Sequence, residues 1–100
     1  MLHMVNKSPF QANALESCLK VAKKGSAILF LENGVIGVLS STSFADKAKE
    51  LAADYKVYAV GPDLQARGFD ETAVVDGVTL VDYAGFVDIV AQNGPVQSWF

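Results

Sequence analysis

Cysteine and histidine are nearly absent: the chain has one of each, Cys18 and His3. A lone cysteine cannot close an internal disulfide, which excludes a disulfide-stapled secreted scaffold and fits a reducing compartment. One cysteine and one histidine also leave too few soft ligands for a zinc site, and there is no CxxC partner for internal disulfide exchange. Charge runs are missing as well. Eleven acidic and eight basic residues give a net charge of -3 and are scattered, so nothing resembles an electrostatic footprint for nucleic acid. No apolar run approaches the roughly 18 residues that cross a bilayer, and the first residues lack the basic, apolar and small-residue regions of a secretory leader. The resulting expectation is a cytoplasmic protein with no membrane segment and no direct nucleic-acid binding.

What is present is apolar and evenly spread. With 51% hydrophobic residues in 100, the chain can bury one core and not two, so residues 1–100 are expected to form a single domain. Leu2 to Asn6 reads as a strand ended by Lys7-Ser8-Pro9. A helix follows, starting either at Pro9 with Ser8 as cap or at Asn13 with Glu16 as its capping-box partner. Its apolar stripe is Leu15, Leu19 and Ala22, and Gly25 stops it. Ala27 to Leu31 is a strand buried on both faces, whereas Gly34 to Leu39 suits a strand or a short buried helix equally. Ser43 and Asp46 resemble a capping pair for a helix with Phe44, Ala48, Leu51 and Ala52 inward. Lys56 to Val60 is a third strand, Leu64 to Arg67 a short helical piece, and Thr72 to Val75 an extended segment. After the Asp76-Gly77 turn comes a strand over Val78 to Val81. Asp82 is the expected cap of a last helix with Tyr83, Phe86, Val87 and Val90 on its apolar side, stopped by Gly94-Pro95. Strands alternating with helices imply a three-layer α/β/α domain around a mostly parallel sheet, part of whose covering could come from a partner.

Few residues offer chemistry. Cys18 is the sole candidate sulfur nucleophile; on a helix it is either a buried packing residue or an exposed thiol activated by a cation. His3 reads as a core or edge residue of the first strand. Lys20, Lys23 and Lys24 cluster near a helix end, where cations suit the dipole. Asp46, Asp63, Asp70, Asp76 and Asp82 fall where turns and caps want carboxylates. The glycines near Gly34 form neither a dinucleotide fingerprint nor a P-loop, and no cofactor is expected. Arg67 follows the third strand and is either a partner or ligand contact at the strand ends or half of an internal ion pair. Trp99 and Phe100 must dock somewhere, on their own sheet or on another subunit.

Taken in order, Leu2-His3, Asn6-Lys7-Ser8-Pro9-Phe10, Leu15-Glu16-Ser17-Cys18-Leu19, the run from Gly61 to Phe69, the run from Val81 to Asp88 and the tail at Trp99 resemble the DsrH/TusB family. The resemblance spans nearly the whole chain. It implies a DsrE-like fold and a cytoplasmic hetero-oligomer with DsrE/TusD-like and DsrF/TusC-like subunits, working with a DsrC/TusE-like sulfur carrier. It further implies a sulfurtransferase-complex subunit that is not catalytic alone. Cys18 matches a cysteine of the DsrH branch, which points to persulfide relay in sulfur oxidation and makes Cys18 an auxiliary sulfur carrier. The alternatives are the TusB-type relay for 2-thiolation of the tRNA wobble uridine and a purely structural scaffold. His3, Asp63, Arg67 and Asp82 also match the family pattern, without an implied role.

Overall fold

The computed structural model describes residues 1–100. Its elements follow in the order β1 (Leu2–Val5), α1 (Ala14–Val21), β2 (Ala27–Phe30), a 3-10 helix (Glu32–Val38), α2 (Ala45–Asp54), β3 (Lys56–Val60), α3 (Gly61–Ala66), a 3-10 turn (Glu71–Ala73), β4 (Thr79–Val81), α4 (Tyr83–Gln92) and β5 (Val96–Trp99). The five strands form one sheet in the order β4-β3-β2-β1-β5, and every pairing is parallel. From β1 to β4 the chain steps one way and lays α1, the first 3-10 helix, α2 and α3 on one face. The α4 connection then runs back past β1 to β5, and with right-handed crossovers a reversed step puts its helix on the opposite face.

Residues opposite one another in a parallel ladder share a face. His3, Val5, Ile28, Phe30, Val57, Ala59 and Trp99 therefore face α1, α2 and α3, and most of them join Leu15, Cys18, Val35, Val38, Leu51 and Leu64 in the larger core cluster. Leu2, Ala27, Leu29 and Val60 point the other way, onto Ile89, Phe86 and Val90 of α4. That second layer is one ten-residue helix, and beside it Met4 and Tyr58 stay partly exposed while Lys56, Thr79 and Ser98 face solvent. α4 is apolar outward too, with Tyr83 and Val87 about three-fifths exposed (59% and 62%).

Several local expectations change. The tail is a strand: Val96 to Trp99 pairs with Leu2 to Val5, so Trp99 docks on its own sheet, whereas Phe100 lies beyond the strand and stays exposed. Alternation was too short there to signal a strand. Gly34 to Leu39 is a 3-10 helix apart from its last residue because the chain must turn tightly against the end of β1. Leu31 donates to the Val5 carbonyl at 3.1 Å, Glu32 takes φ of 51°, and a Cβ on Gly34 would lie 2.1 Å from that same carbonyl oxygen. Thr72 to Val75 is half 3-10 turn, with only a single antiparallel bridge from Val74 to Leu39. α1 starts after Asn13, which makes no side-chain cap bond; Ser8 instead accepts from Phe10 within the preceding turn. Ahead of α2, Thr42 and not Ser43 holds the turn, accepting from the Phe44 amide at 3.1 Å. Asp82 does cap α4, accepting from Gly85 at 2.8 Å.

Candidate functional site

In an open parallel sheet the connections beyond the strand C-termini gather on one side, where ligands and partners usually bind. Here β2 delivers Glu32 and Asn33 to that rim, β3 delivers Asp63 and Arg67, and β4 delivers Asp82 and Tyr83. All but Asp82, which caps α4, form one hydrogen-bonded set. The Asp63 carboxylate accepts from the Glu32 amide at 2.7 Å and, more weakly, from the Tyr83 hydroxyl at 3.4 Å. Arg67 donates from Nε to Asn33 Oδ1 at 2.8 Å and from Nη1 to the Asp63 carbonyl at 2.9 Å.

The arginine is thus a brace and not half of an ion pair. The Asp63 carboxylate is taken by Glu32, which needs it because a backbone at positive φ turns its N–H away from any ladder partner. The only salt bridges in the chain are Lys24 with Asp54 and Lys47 with Glu50, both solvent-facing. Arg67 consequently keeps an unneutralised charge at the rim while its hydrogen bonds tie the β2 and β3 loops together. At the end of β1 the Asn6 side-chain oxygen is buried without a hydrogen-bond partner.

Cys18 is elsewhere. It lies on the inward side of α1, fully buried among the larger core cluster, and burial pushes its thiol up to about 11. At neutral pH roughly one molecule in ten thousand would hold a thiolate at that value, and the thiolate is the nucleophile. In this fold the thiol is buried and its pKa is raised, not lowered. His3 is also inward, on β1, and its Nδ1 accepts from Trp99 Nε1 at 3.2 Å; no hydrogen bond joins it to Cys18. No group of three or more His, Cys, Asp or Glu residues could hold a metal ion. A groove of about 640 Å³ beside the entry to α1, lined by Phe10, Leu15, Leu19, Phe44, Lys20 and Lys47, contains neither thiol nor imidazole.

Geometry therefore provides a braced rim, an exposed apolar helix face and a buried thiol, with no assembled catalytic group. Residues 7–96 match the family model described as DsrH like protein. The chain belongs to the DsrH-like family. Protein TusB of Pectobacterium parmentieri is 31% identical over 99 residues, covering 99% of this chain and all of the relative. Protein TusB of Escherichia coli K12 is 27% identical over the same coverage. Among solved structures, a protein of unknown function from Methanobacterium thermoautotrophicum superposes with a TM-score of 0.73 at 16% identity, covering 97% of this chain and 95% of that one. A Thermotoga maritima protein gives 0.63 at 25% identity, covering 91% and 92%. Both agree with the α/β fold. No helix is long and apolar enough to cross a membrane.

The brace partners Glu32, Asn33 and Tyr83 had no individual signal in the sequence. Their shared one was position, each lying just beyond a strand, and that becomes useful only once strand order is known. The Trp99 to His3 pair, 96 residues apart, had none.

Proposed function

We propose that this chain is a TusB-type subunit of a cytoplasmic sulfur-relay assembly, contributing binding surface while a TusD-like partner supplies the sulfur-carrying thiol. The observation that carries this reading is the full burial of its only cysteine in a chain whose family is one of relay subunits. A protein without an accessible nucleophile can serve thiol transfer only by holding other proteins' thiols in place. The outward apolar residues Tyr83 and Val87 on α4, over a thinly covered parallel sheet, supply surface for TusC-like and TusD-like subunits. A TusE-like carrier would then exchange sulfur with the assembly.

This moves the preferred pathway. Sulfur oxidation rested on Cys18, and a buried Cys18 no longer favours it over 2-thiolation of tRNA; the full-length TusB relatives favour the latter. The test has two readouts. Expression in a bacterium lacking its own TusB should restore 2-thiouridine in tRNA when the neighbouring subunits are supplied, and no restoration would return the oxidation reading. Intact masses of the co-purified assembly after a persulfide donor should show +32 Da on a partner. A +32 Da adduct on this chain that vanishes in Cys18→Ser would instead make Cys18 an auxiliary carrier. Absence of any assembly would end the relay reading.

A further inference from the structure

His3 and Trp99 are the only histidine and the only tryptophan of the chain. They sit on neighbouring strands and the same sheet face, since His3 pairs with Gln97 and Val5 with Trp99 in the β1 to β5 register. Trp99 donates its indole N–H to His3 Nδ1 at 3.2 Å, with ring centroids 6.3 Å apart and planes tilted by 33°. The imidazole is 3% exposed. To accept at Nδ1 it must carry its proton on Nε2 alone, the neutral form.

The surroundings hold that form. Val21 at the end of α1, Lys23, Ser26 and Gln97 line a cleft with His3, Trp99 and Met1. From the segment after α1 the charged group is Lys23; from its own strand it is the Met1 ammonium. β2 presents apolar Ile28 and β5 presents Gln97 and Trp99, while α1 presents Val21 and, deeper in the layer, the neutral Cys18 thiol. No carboxylate lines the cleft to stabilise an imidazolium. Burial first, and the ammonium second, lower the His3 pKa below its ordinary value of 6.5.

We infer that His3 and Trp99 form an acid-released latch that fastens the C-terminal strand to the sheet. An imidazolium donates from both nitrogens, so on protonation the indole N–H loses its acceptor and meets another N–H. Besides this bond, β5 is held by its ladder to β1 and by the packing of Trp99 on the larger core cluster. It is a four-residue edge strand bonded only to β1, with Val96, Gln97 and Ser98 exposed. No residue of β5 is among the buried ones, so most of the core lies outside it. Because the folded state binds fewer protons at His3 than the unfolded chain, the stabilisation is whole above pH 6.5 and is lost as pH falls through the lower folded value. This device is independent of the relay reading.

The test follows the His3 ring resonances, the Trp99 indole N–H and hydrogen-exchange protection factors of the whole chain by NMR from pH 7.5 to 4.5, with His3→Asn in parallel. Asparagine keeps an acceptor near Nδ1 and does not titrate. Protection in β5 should fall along the His3 titration curve, with a midpoint below 6.5 and with β2 and β3 unchanged; in His3→Asn it should stay level. The latch is overturned if β5 protection is constant through the titration, if His3 does not titrate above pH 4.5, or if His3→Asn shows the same loss. Should that variant not fold, the wild-type correlation alone decides.

Discussion

Replacing Cys18 by serine separates a packing thiol from a working one. The side chain is fully buried in the larger core cluster, which also contains Val5, Ile28 and Phe30 of the sheet. Serine is smaller and brings a hydroxyl into apolar surroundings, where an unsatisfied polar group costs about 1–3 kcal/mol. Its one local escape is a bond to the carbonyl four residues back on α1, which would hold the loss near the lower figure. For a domain of this length each kcal/mol is worth about 4–8 °C, so a fall in Tm of at least about 4 °C is expected by thermal denaturation. Cys18→Ala, which adds no polar group, should lose less than Cys18→Ser does without that bond. Thiol labelling supplies the second arm. With the thiol pushed up to about 11 and buried, modification of the native chain at neutral pH should be slow and should accelerate in denaturant. Labelling at the rate of a free cysteine, together with an unchanged Tm in Cys18→Ser, would refute the reasoning and restore the carrier role.

Other substitutions test the rim and the surface. Gly34→Ala should lower stability by about 3 kcal/mol, and Tm by more than about 12 °C, because the new Cβ meets the Val5 carbonyl at 2.1 Å; a near-native melt would mean the 3-10 helix shifts freely. Asp82→Ala should cost about 1 kcal/mol by removing the α4 cap, whereas Asp82→Asn keeps an acceptor and most of the stability; equal losses would assign the effect to charge instead. Arg67→Lys should lower the denaturant midpoint by about 1–2 kcal/mol of stability, since an ammonium cannot reproduce a planar fork to Asn33 and Asp63, and an unmoved midpoint would discount the brace. Val87→Glu should leave the isolated chain within about 0.5 kcal/mol of wild type yet remove partner subunits on co-purification; retained partners would place the interface away from α4.

By itself the sequence determined the α/β class, the four leading strands, the α4 cap at Asp82 and the absence of a metal or dithiol motif, because these are local: apolar runs, glycine and proline stops, a carboxylate three residues ahead of an amide. The family was legible too, as ordered short motifs over nearly the whole chain. Long-range pairing decided the rest. Val96 to Trp99 has too few residues for alternation to speak, and becomes a strand only because β1 offers an unpaired edge. Gly34 carried no special signal until the fold brought its backbone against the Val5 carbonyl, where a Cβ would lie 2.1 Å from the oxygen. Arg67 beside two aspartates suggested an ion pair, but fold geometry spends Asp63 on the Glu32 amide and turns the guanidinium to Asn33. Most consequentially, whether Cys18 packs or reacts depends on which side of α1 meets the sheet, and the crossover that lays α1 over β1 and β2 turns the thiol inward.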